Sequence, residues 1–484
     1  MGEKKSIAKN FLYNTLLRIL NIVFPLITFP YVARILSAEG IGKVDFSLSV
    51  IHYFIIIAQF GIPTYAIREC AKYRDNKEEL TKKVQEILMI NIVMVIVSYI
   101  FLTIVLVSVD MFHDYKTLLI IMSINILSTS IGIEWFYQSI EEYRLITIRS
   151  FFVKLLSLIL VFVLIKEESD FNLYGFIITL SLALGHIYNF IHVNKYISLF
   201  KRYSNYNFKK HIKPILLLFA MSISVSIYVH LDKVMLGVIS GDKYVGLYSS
   251  ASRIVKIILT LVTSLAVVLL PRMSYYIKMK QEEDIKRLIK KSIDFILMIS
   301  IPATVGIIIL AKPIILIFAG PGYLEAVNTI RIISPILIII GLSNLIGIQI
   351  LVSNGKEKIT LFATIIGAAI NFSLNLILIP KLQHNGAAVA TILAETAVTV
   401  TLFYFAYTYI KGNINFKNLL SYLIGVLFMS ILCIGINHLI PGLVFSTLLS
   451  VISAIIIYIS ILFLFKNELM VEISTKLTRK FKLR

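Results

Sequence analysis

Cysteine is almost missing from this chain: Cys70 and Cys433 are the only two in 484 residues. They lie far apart in unlike surroundings, which excludes a disulfide framework and a thiolate metal site. Charge is scarce as well. Only 15% of residues are charged and 58% are hydrophobic, against about 25% and about 45–50% in an ordinary soluble domain. A water-soluble fold of that composition could not cover its core with polar surface. The signatures HExxH, GxxxxGK[ST] and GxSxG are absent, so a zinc hydrolase, a P-loop nucleotidase and a common serine hydrolase lack their parts. Carboxylate-pair chemistry on glycans would want an acidic outer loop of some size, and the only one, KEESDFN (166–172), is tiny. The eight histidines are scattered, and neither a metal centre nor a cofactor is expected.

What is present is apolar sequence, with a mean hydropathy of +0.87. Segments long enough to cross about 30 Å of hydrocarbon fall near 11–36, 43–67, 84–107, 117–139, 146–165, 173–192, 214–239, 244–270, 292–311, 323–352, 359–379, 385–410, 418–436 and 443–465. The fold class is therefore an all-α polytopic membrane protein of about fourteen transmembrane helices. KPIILIFAGPGY (312–323) reads either as a re-entrant turn or as the end of a span. Pro25, Pro30 and Pro63 fall in or at the ends of early spans and predict kinks there. No connection exceeds roughly 25 residues, so no soluble domain is attached.

The net charge of +20 would suit a nucleic-acid partner if it formed one surface, but it does not. The outer connections hold six of the 47 Lys and Arg residues: Lys43, Lys116, Lys166, Lys243, Lys312 and Lys381. Most of the rest lie in alternate connections such as RECAKYRDNKEELTKK (68–83) and PRMSYYIKMKQEEDIKRLIKK (271–291). Cytoplasmic loops of membrane proteins carry such an excess. The pattern predicts both termini on the cytoplasmic side and no nucleic-acid partner.

An internal repeat is visible. SAEGIGKVDFSLS (37–49) after the first span is similar to SGDKYVGLYSSAS (240–252) after the seventh: each places a short polar turn and a glycine, Gly42 or Gly246, before a Ser-rich helix start. Six spans separate the two copies, so they run in parallel, as in repeat-built transporters.

Polar residues recur along single faces of several spans. Asn14, Arg18, Asn21 and Pro25 share a face of the first, and Arg253, Lys256, Thr260 and Thr263 a face of the eighth. Most Ser and Thr residues in such stripes serve helix packing. The charges are different, because each costs at least ~2.5–3.5 kcal/mol at mid-bilayer. Arg18, Lys154, Arg253 and Lys256 fall roughly 10–18 Å from a membrane surface at 1.5 Å per residue. Cations outnumber acids at that depth, which points to a cavity receiving an anion. Arg34, Asp45, Asp232 and Lys233 gather towards the outer ends of spans one, two and seven, where they suit either an ion-paired gate or snorkelling to the interface. Glu395 and Glu134 are candidates for coupling to a Na⁺ or H⁺ gradient.

ITFPYVARILSAEGIGKVDFSLSV (27–50), VSIYVHLDKVMLGVISGDKYVGLYSSASRIV (225–255), GPGYLEAVNTIRIISP (320–335) and VSNGKEK (352–358) together resemble the polysaccharide repeat-unit flippases (Wzx-type, O-antigen and capsule class) of the MOP exporter superfamily. The resemblance covers nearly the whole chain. It implies a MATE-like arrangement of two six-helix lobes, 1–213 and 214–410, around a central cavity, with two further helices and a basic cytoplasmic tail in 411–484. It also implies a cargo, an undecaprenyl-diphosphate-linked oligosaccharide moved from the inner to the outer leaflet of a bacterial cytoplasmic membrane, and a polysaccharide polymerase as a partner. A cation-coupled multidrug exporter of the same superfamily is the alternative. A glycan polymerase or ligase would need the large catalytic outer loop that this chain lacks.

Overall fold

The structure is a computed structural model describing residues 7–279, 281–412, 415–472 and 474–475. The first six residues and the tail beyond 475, which the charge pattern assigns to the cytoplasm, lie outside the described residues. Among the described residues every regular element is helical. Two compact units divide the chain, Met1–Gly246 and Leu247–Arg484.

The first unit contains α1 (Ile7–Gln59), α2 (Ile62–Ala71), α3 (Lys77–Ser108), α4 (Lys116–Ile131), α5 (Glu134–Ser139), α6 (Tyr143–Leu164), α7 (Phe171–His192) and α8 (Lys209–Ser240). As one rod, the 53 residues of α1 would be about 80 Å long, far beyond one hydrocarbon core. The helix breaks at Ser37, whose φ of 60° and ψ of −179° are non-helical, leaving two arms for spans one and two. The break falls at the polar SAEG turn, while Pro25 and Pro30 stay inside the first arm. Pro63 sits at the start of α2, after Phe60 and Gly61 with φ of 47° and 73°. There its missing N–H costs nothing.

Helix α3 starts at a side-chain cap: Asn76 Oδ1 accepts the amides of Glu78 and Glu79, both at 3.1 Å. Span four ends early. Ile133 takes φ 35° and ψ 41°, a left-handed conformation that a β-branched residue rarely adopts. The glycine before it is required by packing, since a Cβ on Gly132 would lie 2.3 Å from His186 Nδ1. Beyond the break, α5 packs with α2, the start of α3 and the 193–197 segment in one core containing Tyr65, Val84, Trp135, Phe136, Tyr137 and Ile197.

The second unit contains α9 (Asp242–Lys278, from its second turn), α10 (Glu282–Ile309), α11 (Ala311–Phe318), α12 (Ala326–Ile333), α13 (Ile336–Asn344), α14 (Glu357–Ile410), α15 (Phe416–Leu439) and α16 (Leu443–Leu464). The segment that read two ways is a short helix, α11, followed by a turn at Gly320 and a single 3-10 turn over Pro321–Tyr323. Span ten is built from α12, α13 and a π-helix over Leu345–Leu351. Like α1, α14 carries two arms, broken at Gln383 with φ 50° and ψ −128°. One core joins α9, α10, the π-helix and α14, and another joins α10 to α15 and α16.

Eleven helical stretches among the described residues are long and apolar enough to cross a membrane. With two arms each in α1 and α14, and with α8 added to these stretches, the helices accommodate the fourteen expected spans. Outward-facing apolar residues confirm the solvent they need: Ile96, Ile100 and Ile104 form an i, i+4 row on α3, each more than half exposed. In water such rows would be an aggregation surface, and in lipid they are the expected exterior.

Candidate functional site

In the first unit, α6 runs beside the first arm of α1. Thr147 Oγ1 donates to the Tyr13 carbonyl (2.9 Å), and Tyr31 OH donates to the Ile165 carbonyl (2.9 Å), so the two helices rise in parallel and in register. That register brings two of the expected cations onto neighbouring helices, with Arg18 about half a turn below Lys154. Arg18 is exposed, and its Nε donates to Asn14 Oδ1 one turn earlier (3.4 Å). Lys154 is half-buried, its Nζ 6.0 Å from the Phe24 ring centroid, and Phe24 meets Phe151 edge-on at 6.5 Å. Among the described residues no carboxylate pairs with either cation. The patch is thus cationic and aromatic, with donors and ring faces but no acid to neutralise it.

At the other end of this unit Asp45 and Lys233 meet at 3.4 Å. Asp45 and Asp232 are both buried, and the Asp45 backbone carbonyl accepts Ser49 Oγ at 2.7 Å. Arg34 is exposed and turns back to donate to the Pro30 carbonyl of its own helix. The rings of His52 and His230 face each other one to two turns further in, with centroids 4.0 Å apart.

Glu134 is already engaged. Beginning α5 just after the break, it accepts Arg149 Nη2 at 3.2 Å and Gln138 Nε2 at 3.3 Å. Arg149 also donates to the Gly185 carbonyl (2.7 Å), so one guanidinium ties α5, α6 and α7 together. Sequence reasoning passed over Arg149, which lies six residues after the start of α6 and near the beginning of span five.

In the second unit Arg253 and Lys256 share one face of α9, Arg253 half-buried and Lys256 exposed. Tyr248 OH and Thr391 Oγ1 meet at 3.1 Å and join α9 to α14. Glu395 follows one turn after Thr391 and is buried, while Thr399 Oγ1 donates to its backbone carbonyl (2.8 Å).

A second set of residues, in and beside the basic connections, was not singled out in the sequence. Glu86 is fully buried and accepts Lys83 Nζ (2.6 Å), His211 Nε2 (2.7 Å) and the Asn207 amide (2.9 Å). The other ring nitrogen of His211 meets Tyr65 OH at 2.6 Å. Beside it, Glu69 accepts Lys72 (2.6 Å) and Lys210 (3.0 Å). The pairing with Glu69 raises the Lys210 ammonium above its ordinary value. Gln85 adds hydrogen bonds to the Leu199 and Lys201 carbonyls at 2.7 and 2.8 Å. Together these clamp the connection into α8 onto the later part of α2 and the first three turns of α3. Asp294 is the counterpart in the second unit, accepting Asn418 Nδ2 at 2.9 Å.

Residues 7–277 match the family model for polysaccharide biosynthesis proteins. The chain belongs to that family. Residues 218–377 also match the MatE model. A protein of Escherichia coli K12 named as an O-antigen transporter is 27% identical over 406 residues, covering 83% of this chain and 97% of that one. A capsular polysaccharide biosynthesis protein of Staphylococcus aureus is 22% identical over 409 residues, covering 82% and 98%. Among solved structures, lipid II flippase MurJ in an inward closed conformation superposes with a TM-score of 0.76 at 18% identity, covering 96% of this chain and all of that one. An inward-facing MATE multidrug transporter of the MOP superfamily gives 0.62 at 12% identity, over 81% and 95%. The fold of this family member is thus that of the MOP transporters.

Proposed function

We propose that the chain is a flippase, carrying undecaprenyl-diphosphate-linked oligosaccharide repeat units from the inner to the outer leaflet of a bacterial cytoplasmic membrane for surface polysaccharide synthesis. Both termini lie on the cytoplasmic side in this reading, 1–213 and 214–410 act as the two lobes, and a polysaccharide polymerase takes up the product. The observation that carries the proposal is the pair of cationic faces, Arg18 with Lys154 and Arg253 with Lys256, in a chain whose family and relatives serve polysaccharide synthesis. Neither the oligosaccharide nor the diphosphate of such a cargo crosses hydrocarbon unaided, and the diphosphate is the charged part. Positive charge within the spans lowers its barrier, while the polyprenyl tail stays in lipid. The protein works as a transporter and not as a catalyst, in keeping with the names of its relatives. For coupling to a cation gradient Glu395, buried on one face of α14 with Thr391 and Thr399, is the better candidate.

The test is flipping of a fluorescent lipid-linked oligosaccharide in reconstituted vesicles. Arg253→Ala and Lys256→Ala should each slow it about tenfold or more, roughly 1.4 kcal/mol of lost anion stabilisation. Arg253→Lys should retain part of the rate, because charge matters before bidentate geometry. Folded alanine variants that flip at the parental rate would overturn the anion site.

A further inference from the structure

Span ten does not end as an α-helix. After α13, residues Leu345–Leu351 form a π-helix, and a single 3-10 turn over Val352–Asn354 leads to Gly355 at φ 71°. A π-helix closes i→i+5 hydrogen bonds where an α-helix closes i→i+4, so the segment holds one residue more than an α-helix of the same reach. Such segments are rare, and they recur at functional sites. A second observation falls on the same segment. Gln349 is 1% exposed, and neither its Oε1 nor its Nε2 has a hydrogen-bond partner among the described residues. Ser353, about one turn further on, has its Oγ in the same state. Leu345, Ile346, Ile350 and Leu351 around Gln349 all belong to the apolar core shared with α9, α10 and α14. A buried amide left without partners is costly, and a leucine of similar volume would fill the same space without that cost.

We propose that the π-helix of span ten is a hinge: it holds one residue of register in reserve, and its conversion to α-helix turns the chain beyond it and takes Gln349 out of the apolar core. The two ends of the segment are held unequally. Upstream, α13 is anchored through Gly341, where a Cβ would lie 2.8 Å from Ile296 and 2.9 Å from Val262. Downstream, the VSNGKEK turn (352–358) is exposed or half-buried, and a Cβ on Gly355 would meet nothing within 4 Å. Conversion therefore moves the downstream end, by about 100° and about 1.5 Å, one residue's share of an α-helix. Two side chains hold the present register. Thr360 Oγ1 of α14 donates to the Gly347 carbonyl at 3.3 Å, and Asn354 Nδ2 donates to the Ile350 carbonyl at 2.6 Å. Both carbonyls belong to the π-helix, so these bonds favour it, while the buried amide opposes it. Opposed contributions of this kind leave two registers close in free energy, as a reversible hinge requires. All of these residues lie within the second unit. The inference goes beyond the flippase reading and borrows from it only the need for spans to move.

Amide hydrogen exchange in detergent micelles reads the hinge without cargo, because conversion breaks and remakes the bonds of the π-helix. Gln349→Leu removes the group that opposes the present register and should slow exchange over 345–354 about tenfold or more. Gln349→Met should act in the same direction. Thr360→Val removes the hydroxyl that favours the register and should speed exchange there several-fold. Exchange over α15 should stay at the parental rate in all three. In reconstituted vesicles Gln349→Leu, although the better protected protein, should flip lipid-linked oligosaccharide several-fold more slowly, a loss that improved packing alone would not bring. A folded Gln349→Leu protein that exchanges at the parental rate, or that is protected yet flips at the parental rate, would overturn the hinge. If neither Gln349 variant folds, Thr360→Val decides, and an unchanged rate of exchange over 345–354 would overturn the proposal. A parent that moves no lipid-linked oligosaccharide, with both exchange shifts present, would refute the function and leave the hinge standing.

Discussion

Replacing Glu86 by alanine should release the connection between α7 and α8. The carboxylate is fully buried and accepts three donors, two of them Lys83 and His211, whose side chains are 9% and 0% exposed. Removing one partner of a buried ion pair costs about 3–5 kcal/mol, because the other charge stays buried and uncompensated. About 4 kcal/mol corresponds to roughly three powers of ten in the equilibrium between the clamped and released connection. Amide hydrogen exchange reads this directly, and the Asn207 amide is itself bonded to the carboxylate. In detergent micelles, amides over 193–211 should exchange far faster in Glu86→Ala than in the parent, while α15 and α16 remain unchanged. The double replacement Lys83→Met with Glu86→Leu removes both charges in similar volume and should recover most of the protection. Parental exchange over 193–211 in Glu86→Ala would refute the claim that this network holds the connection.

The Arg149–Glu134 pair should respond asymmetrically. Glu134→Ala leaves a guanidinium with an 8% exposed side chain and should cost about 3 kcal/mol. Arg149→Met leaves a carboxylate that is 32% exposed and should cost about 1 kcal/mol. Thermal unfolding followed by size-exclusion should rank them so, and equal losses would contradict the burial argument. Gly132→Ala puts a methyl 2.3 Å from the His186 ring and should lower the midpoint by an amount equivalent to about 1–3 kcal/mol. For topology, cysteines at Lys166 and Lys381 should react with an impermeant thiol reagent in intact cells, and those at Lys201 and Lys286 should not. Labelling of the second pair would reverse the orientation of the chain.

Spans, helix class and family were legible because each rests on long runs of sequence. Hydrocarbon thickness sets the period of apolar segments, and the absence of Asp, Glu, Lys and Arg over 87–108, 418–439 and 443–464 admits no other solvent. The repeat was legible at Gly42 and Gly246 because identical local geometry asks for identical residue types. The expectation that put Asp45 and Lys233 near each other used only their depth in spans two and seven, and the structure pairs them at 3.4 Å. Partner choice was not legible elsewhere. Glu134 looked available until α6 supplied Arg149, since pairing across helices depends on rotation about each axis, which composition does not encode. The break at Ile133 has no proline or second glycine to announce it. The Glu86 network joins residues from three separate stretches of chain, and nothing in RECAKYRDNKEELTKK distinguishes Lys83, buried against Glu86, from Lys82.

That network gives certain lysines two roles at different times. Lys72, Lys83, Lys201 and Lys210 belong to the basic connections that bias orientation during membrane insertion. In the folded protein each is engaged with an acid, at 2.6 Å for Lys72, Lys83 and Lys201 and 3.0 Å for Lys210. In the proposed orientation they would act during synthesis as unpaired charges that keep nascent loops from crossing. Afterwards they act as rivets, and their charge no longer contributes freely to the surface potential of the leaflet. A lysine changed to glutamine at one of these positions would therefore be felt twice, by the insertion machinery choosing a side and by the finished fold holding its shape.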